Sequence, residues 1–294
     1  MKGYEHLALL RAAGLRAKKA FGQNFLVDDG ILAAIARECV PEAERGRARV
    51  VELGAGLGAL TAPLTERASH VSAVERDRDL VPRLAFALDK SASRDAYTIV
   101  EGDAQQVDLE ALFRGGEGPR VLCGNLPYQI TGQLLRLAVE QAEYVDRVVF
   151  MVQEEVAERI AALPGSKVYG ALSVFVQAAF VSRVAIHAPP GAFVPPPHVS
   201  SAVVVLLPHR PRLVAETETF RALVKGAFGA RRKTLRNAWR SVGRDPLHVA
   251  QAAETAGISL DARGETLDVH AYGRMARALD DLSETAAASQ GSST

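Results

Sequence analysis

The chain has 294 residues, 48% of them hydrophobic, with 35 Lys and Arg against 34 Asp and Glu for a formal charge of +1; that length allows a full core and two domains, and the composition is that of an ordinary globular protein. No apolar run reaches the roughly 20 residues of a bilayer span, so no membrane association is expected, and no apolar stretch before a small-residue cleavage site marks a secretion signal. The two cysteines, Cys39 and Cys123, are distant in sequence and form no CxxC, so neither a metal nor a disulfide framework is expected and a reducing cytoplasm is the expected setting.

In chain order, a basic group of Arg11, Arg16, Lys18 and Lys19 precedes Phe21-Gly22-Gln23-Asn24-Phe25-Leu26. Asp28 or Asp29 can cap a helix through Ile31 to Ala36. Arg49 to Leu53 reads as a strand, followed by a glycine loop and a helix around Leu60 to Arg67. His70 to Glu75 is the next strand and Asp77 to Leu88 the next helix. Tyr97 to Val100, Val121 to Cys123 and Arg147 to Gln153 are further strands, with helices after Thr131 and from Glu155 to Ala162. Strands alternating with helices predict a parallel sheet covered on both faces.

Pro164-Gly165 interrupts this alternation, and Gly170 to Phe180 reads as one more helix. Residues 189–197, with five prolines around Phe193, are too proline-rich for a helix or a central strand. The apolar strand Ala202 to Leu207 follows at once, so a stiff loop returning to the same sheet is expected. A domain boundary is expected near Pro208 to Pro211, with helices beyond it over Phe220 to Phe228, Arg232 to Trp239, Pro246 to Ala256 and Val269 to Leu282. Residues 284–294 are small and polar and are expected to be disordered. Between positions 225 and 240, Lys225, Arg231, Arg232, Lys233, Arg236 and Arg240 occur with no acid among them. Such a run is the footprint of a polyanion binder, with a solvated helix face as the competing reading.

Glu52-Leu53-Gly54-Ala55-Gly56-Leu57-Gly58-Ala59 lies between a strand and a helix, where glycines let the backbone pass close to a ligand. Glu75 ends the next strand, where a carboxylate can accept from both hydroxyls of a ribose. Gly54, Gly56 and Ala59 also fit the loose GxGxxA spacing of dinucleotide sites, so the loop alone leaves a nicotinamide enzyme and an S-adenosylmethionine enzyme both open. Asp103, ending the third strand, can accept from an adenine amino group, and no histidine stands at these strand ends for hydride chemistry.

Asn125-Leu126-Pro127-Tyr128 ends the fourth strand. A carboxamide oxygen and the neighbouring Leu126 carbonyl can accept both hydrogens of one exocyclic amino group, Pro127 stiffens the turn, and Tyr128 offers a face for a base. The same four residues also suit an ordinary strand-to-helix turn.

At these residues the chain resembles the ribosomal RNA small-subunit adenine dimethyltransferases. The resemblance runs from about Leu15 to Leu282 and rests on the motifs already quoted together with Gly102-Asp103-Ala104, Tyr169-Gly170-Ala171-Leu172-Ser173, Phe193-Val194-Pro195-Pro196-Pro197 and Arg231-Arg232-Lys233-Thr234-Leu235-Arg236-Asn237. It implies a Rossmann-like α/β fold, that of a class I S-adenosylmethionine-dependent methyltransferase, over residues 1–208, with 1–28 as an arm contributing to the cofactor site. A small all-helical RNA- and ribosome-binding domain over 209–283 follows. It also implies S-adenosylmethionine contacts at Asn24, Leu26, Gly54, Gly56, Glu75, Asp103 and Asn125. Two methyls would be placed on the amino nitrogen of each of two adjacent adenosines in the 3′-terminal hairpin loop of small-subunit rRNA, on the immature subunit, by a monomer. The expected chemistry uses Asn125, Leu126, Pro127 and Tyr128 as the catalytic turn, Tyr128 and Phe193 as stacking faces for the target base, and Arg231, Arg232, Lys233 and Arg236 as RNA contacts. Gln129 and Gly132-Gln133 depart from the family's usual residues and put the pocket rim in doubt. The alternatives are a large-subunit rRNA methyltransferase giving antibiotic resistance, a DNA adenine methyltransferase, and a non-catalytic assembly or transcription factor on the same scaffold.

Overall fold

A computed structural model describes residues 23–291, apart from the side chains of Ser91 and of residues 284–291. The basic group from Arg11 to Lys19 and the pair Phe21-Gly22 lie outside the described residues. The chain divides into two units: residues up to Ala157 together with Val181–Pro208, and Glu158–Phe180 together with residues from His209 onward. The expected cut near Pro208 is therefore only one of the places where the chain changes unit; the segment 158–180 goes with the C-terminal helices.

The first unit is built on nine strands: β1 (Phe25–Leu26), β2 (Arg49–Leu53), β3 (His70–Glu75), β4 (Tyr97–Glu101), β5 (Arg120–Asn125), β6 (Arg147–Gln153), β7 (Phe180–Ala188), β8 (Phe193–Val194) and β9 (Ser201–Pro208). Seven of them form one sheet in the order β4-β3-β2-β5-β6-β9-β7, and β1 pairs antiparallel with β8. From β4 to β6 the strands are parallel, in the register Glu52↔Ala73 and Glu52↔Cys123. β9 is antiparallel to β6, pairing Gln153 with Ser201, so the sheet is mixed rather than purely parallel. The proline-rich loop does return to this sheet.

The central strands have no solvent-exposed face because helices cover both sides: Val50, Val51, Glu52 and Leu53 of β2 are all buried. The helices between the strands are α1 (Asp29–Cys39), α2 (Thr61–Thr65), α3 (Val81–Ser91), α4 (Leu109–Phe113), α5 (Thr131–Glu140) and α6 (Glu154–Ala161). α1 begins where the Asp28 carboxylate accepts from the Ile31 amide at 2.9 Å, a side-chain cap. Its buried positions Leu32, Ile35, Ala36 and Cys39 recur at one-turn spacing and pack on β2, β5 and β6. Cys39 and Cys123 meet in this core as free thiols, and burial, with Cys39 beside it, holds the Cys123 thiol well above its ordinary range.

β7 was not expected from the sequence. Its alternation is weak, with intermediate or exposed positions at most of its nine residues, as befits a strand at the sheet edge. The pairing of β1 with β8 is equally invisible to local pattern, because it joins two-residue stretches 167 residues apart in register (Leu26 with Phe193).

In the second unit, α7 (Ala171–Ala179), α8 (Glu218–Gly229), α9 (Leu235–Ala238), α10 (Pro246–Ala256) and α11 (Val269–Gly291) close on a core of Tyr169, Phe220, Leu223, Trp239, Tyr272 and Met275. Buried polar atoms are mostly paired, as burial demands: the Trp239 indole donates to the Leu223 carbonyl and the Tyr272 hydroxyl to the Gly264 carbonyl, both at 2.9 Å. α9 is a single turn within the longer helix expected over 232–239. α11 continues to Gly291. Among the described residues, no helix is long and apolar enough to cross a membrane.

Candidate active site

The sheet order reverses between β2 and β5: the chain leaves β2 toward β3 and β4 on one side and returns to β5 and β6 on the other. At such a switch point the loops after the two strands diverge and leave a crevice at the strands' C-terminal ends. A cleft with about 1100 Å³ of empty space, counted out to its solvent mouth, opens there. Ten residues singled out from the sequence line it together: Asn24, Leu26, Gly54, Gly56, Glu75, Asp103, Asn125, Leu126, Pro127 and Tyr128.

The floor is the glycine loop. Gly54 and Gly56 hold φ of 74° and 59°, which strains any residue with a Cβ. The loop amides are spent internally: Gly54 and Ala55 donate to the Val74 carbonyl at 2.9 and 3.0 Å, Gly58 to Ala55 at 2.9 Å, and Gly56 to Glu75 Oε2 at 2.8 Å. The other oxygen of Glu75 accepts from the Asp77 amide at 2.8 Å. The Arg76 amide also acts on this carboxylate, which with four acceptor positions still keeps capacity for a ligand hydroxyl. Burial raises the Glu75 pKa, and the amides of Asp77 and Gly56 counter it.

Asp103 caps a short turn by accepting from the Gln105 amide at 3.0 Å, and its second oxygen lies 3.6 Å from the Arg76 guanidinium. Arg76 also lines the cleft, and nothing in the sequence pattern marks it as Asp103's partner. Gln23 and Phe25, which flank Asn24 in sequence, also line the cleft. Gln23 donates to the Asp77 carboxylate at 3.1 Å.

Glu52 is another residue without an assigned role. It is 1% exposed and accepts from the Thr61 hydroxyl at 2.6 Å, tying β2 to the start of α2. Burial, with Glu75 nearby, pushes its pKa up to about 8. The folded chain therefore holds this proton more tightly than the unfolded chain, whose carboxyl titrates near 4.5. The stability this proton confers is complete below that unfolded value and is lost as pH rises toward 8 and beyond. Urea unfolding is expected to show stability falling from pH 5 to pH 8.5, on the order of a few kcal/mol. In Glu52→Gln, which retains an oxygen for Thr61, that fall is expected to shrink, with Glu75 leaving a residual slope. Identical slopes in the two proteins would refute this.

The Asn125 turn forms the cleft's other wall. Asn125 Nδ2 donates to the Asn24 carbonyl at 3.0 Å, which fixes the amide orientation through its network. Among the described residues, neither Asn125 Oδ1 nor the Leu126 carbonyl accepts a hydrogen bond. Two adjacent acceptors thus stand unused beside the cleft. The Leu126 amide is tied to the Met151 carbonyl at 3.1 Å, and the Pro127 carbonyl accepts from the Ile130 amide and the Thr131 hydroxyl, both at 3.1 Å, so the turn is held at several points. The half-buried Tyr128 ring is pinned by its hydroxyl, 2.8 Å from Ser201 Oγ.

Two assignments need correction. Phe193 is 2% exposed, pairs through β8 with Leu26, packs in the central core and is not among the residues lining the cleft. The ring is buried, so it offers no open face to a base. Arg231 is not the unpaired cation its sequence run suggests: its guanidinium pairs with Glu265 at 2.7 Å and donates to the Lys167 carbonyl at 2.6 Å. The basic run lacks acids in sequence, but Glu265 and Asp261, the latter 3.3 Å from Arg236, reach it in space. Arg232, Lys233 and Arg240 are exposed, and among the described residues they form no ion pair.

Sheet order, switch-point crevice and acid-lined loop define a Rossmann-like class I methyltransferase fold. Two solved structures share it: a dimethyladenosine transferase from Plasmodium falciparum (TM-score 0.73, 21% identity, 85% of this chain and 95% of that one) and a 23S rRNA methyltransferase, ErmE (TM-score 0.64, 23% identity, 87% and 100%). The profile of the ribosomal RNA adenine dimethylase family matches residues 14–281, and the chain belongs to that family. It is 47% identical over 282 residues to a protein named ribosomal RNA small subunit methyltransferase A of Anaeromyxobacter sp. strain K, covering 92% of this chain and 96% of that one. A Xylella fastidiosa protein of the same name is 41% identical over 266 residues, with 90% and 96% covered.

Proposed function

We propose that this chain dimethylates the amino nitrogens of two adjacent adenosines in the 3′-terminal hairpin loop of small-subunit rRNA, using S-adenosylmethionine. It would act as a cytoplasmic monomer on the immature small subunit. The observation that carries the reading is the pair of unused acceptors at Asn125 and Leu126, set against an acid-lined cleft.

The cleft's donor set fits this cofactor. Glu75 and Asp103 suit ribose hydroxyls and an adenine amino group, Phe25, Leu57 and Leu80 give apolar walls, and the carboxylates favour a ligand with cationic groups. A dinucleotide is a poor fit, because its pyrophosphate needs free loop amides and those of Gly54, Ala55, Gly56 and Gly58 are already engaged. When bound, S-adenosylmethionine supplies an electrophilic methyl group.

The chain's own residues prepare the target. A flipped adenosine loses its stacking, at a cost of roughly a few kcal/mol, and stacking on an aromatic face returns about 1–3 kcal/mol. Tyr128, held by Ser201, supplies that face. Asn125 Oδ1 and the Leu126 carbonyl accept the two amino hydrogens, which fixes the nitrogen and directs its lone pair into the cleft. Positioning provides most of the acceleration, and no strong base is required. Arg232, Lys233 and Arg240 present exposed charge for phosphate.

The small-subunit substrate is favoured over large-subunit rRNA by the names of the relatives at 41–47% identity. Incubating the protein with labelled S-adenosylmethionine and unmethylated small or large subunits, then mapping the label, tests the reading. Label on adjacent adenosines of the small-subunit hairpin is expected; label on large-subunit rRNA alone, or none, overturns it.

A further inference from the structure

Beside the cleft lies an open groove with about 1250 Å³ of empty space, counted in the same way, and its chemistry differs from that of the cleft. Carboxamides dominate it: Gln105, Gln106, Gln129, Gln133 and Gln141 all line it. Gln141 builds the wall, donating to the Val107 carbonyl at 2.9 Å and accepting from the Leu109 amide at 2.8 Å. Gln106 and Gln133 are exposed, and among the described residues their side chains make no hydrogen bond. The one cation among its lining residues, Arg136, is paired with Glu140 at 2.7 Å. The groove therefore offers hydrogen bonds with little net charge, which suits a base edge better than a phosphate.

Its position follows from the chain. The turn that carries Asp103 and Ala104 into the cleft carries Gln105 and Gln106 into the groove, and Gln129 follows Tyr128 directly. Ile130 and Leu134 face the cleft while Gly132 and Gln133 face the groove, so the same short stretch walls both. A target base stacked on Tyr128 leaves its neighbouring nucleotide within reach of this wall.

We infer that the groove seats the base adjacent to the target adenosine, an adenine read along its amino and N7 edge by the carboxamides of Gln106 and Gln133. A carboxamide accepts from the adenine 6-amino group and donates to N7. Guanine presents acceptors at both positions, which leaves the carboxamide oxygen unpaired. The unmodified pair is then recognised together: one adenosine reacts while the other is held, and the contact is lost once the held base has itself been dimethylated. The inference rests on the rRNA reading above and adds to it a subsite and the residues that set its preference.

The test uses the full chain and unmethylated small subunits in which one or the other target adenosine is replaced by guanosine, with methylation of the remaining adenosine mapped under kcat/KM conditions. For at least one of the two replacements, the wild-type protein is expected to react about tenfold more slowly than at the same adenosine in unsubstituted subunits, the scale of one bidentate contact. The double variant Gln106→Ala/Gln133→Ala, both changes being at exposed positions, is expected to treat substituted and unsubstituted subunits alike, at the slower rate. Equal wild-type rates on all three substrates, or discrimination that survives in the double variant, overturns the inference and leaves the dimethylation reading standing. Failure of the wild-type protein to methylate unsubstituted subunits overturns that reading and the inference with it.

Discussion

Asn125→Ala is expected to lower kcat for methyl transfer by about 10²- to 10³-fold, the usual cost of removing one preorganised polar contact to the reacting group. Cofactor affinity is expected to change by less than about tenfold, since the direct loss in the resting protein is one neutral hydrogen bond. That bond, from Asn125 Nδ2 to the Asn24 carbonyl at 3.0 Å, holds the oxygen toward its unused position. The two effects separate because the carboxamide has two ends: the nitrogen secures the arm beside the cleft, and the oxygen is left for the target amino group. Alanine removes both, but only the second is felt at the reacting nitrogen. Single-turnover methylation measured beside equilibrium binding of S-adenosylmethionine distinguishes them. A variant that transfers methyl near the wild-type rate would show that the amino group is held by something else, and the mechanism would fall. A variant that loses binding and rate in equal proportion would make Asn125 a cofactor residue only.

The parts of this site that could be read from the sequence were those fixed by local chemistry. Gly54, Glu75, Asp103 and Asn125 each end a strand or follow one, and strand ends are visible as apolar runs bounded by glycine or acid. Once the strands are parallel, their C-terminal ends share an edge by topology, and four separate positions become one cleft. What could not be read depended on approach in space. β1 and β8 are two-residue stretches whose pairing carries no periodic signal, and Phe193, in β8, is buried in the core they adjoin. Arg231 looked like a free cation because its partner, Glu265, comes 34 residues later. The carboxylate of Glu52 sits in a glycine motif that reads as cofactor-binding, yet its visible work is a buried tie to Thr61.

Gly124 is a further case, and substituting it is expected to affect the whole site. It immediately precedes Asn125 and carries no motif signal. A Cβ built on it would stand 2.5 Å from the Leu53 carbonyl oxygen and 3.2 Å from Leu126 Cδ2. The first contact is with backbone, which cannot swing aside as a side chain can. Leu53 ends β2 just before Gly54, and Gly124 is the residue before the end of β5, so the two strands can approach at the head of the cleft only without that methyl. Gly124→Ala must therefore move either the start of the glycine loop or the Asn125 turn. Overpacking of this kind costs about 1–3 kcal/mol, and a displacement near 1 Å at a catalytic group costs about 10²-fold in rate. Gly124→Ala is thus expected to lower both the urea midpoint and kcat, with the rate falling further than partial unfolding explains. Gly191→Ala is the control, since a Cβ there meets nothing within 4 Å and the residue is exposed; its stability is expected to match the wild type. Should Gly124→Ala instead keep full stability and full rate, the close approach of β2 and β5 is not what positions Asn125, and the rigidity ascribed to the turn has to come from the contacts of Leu126 and Pro127 alone.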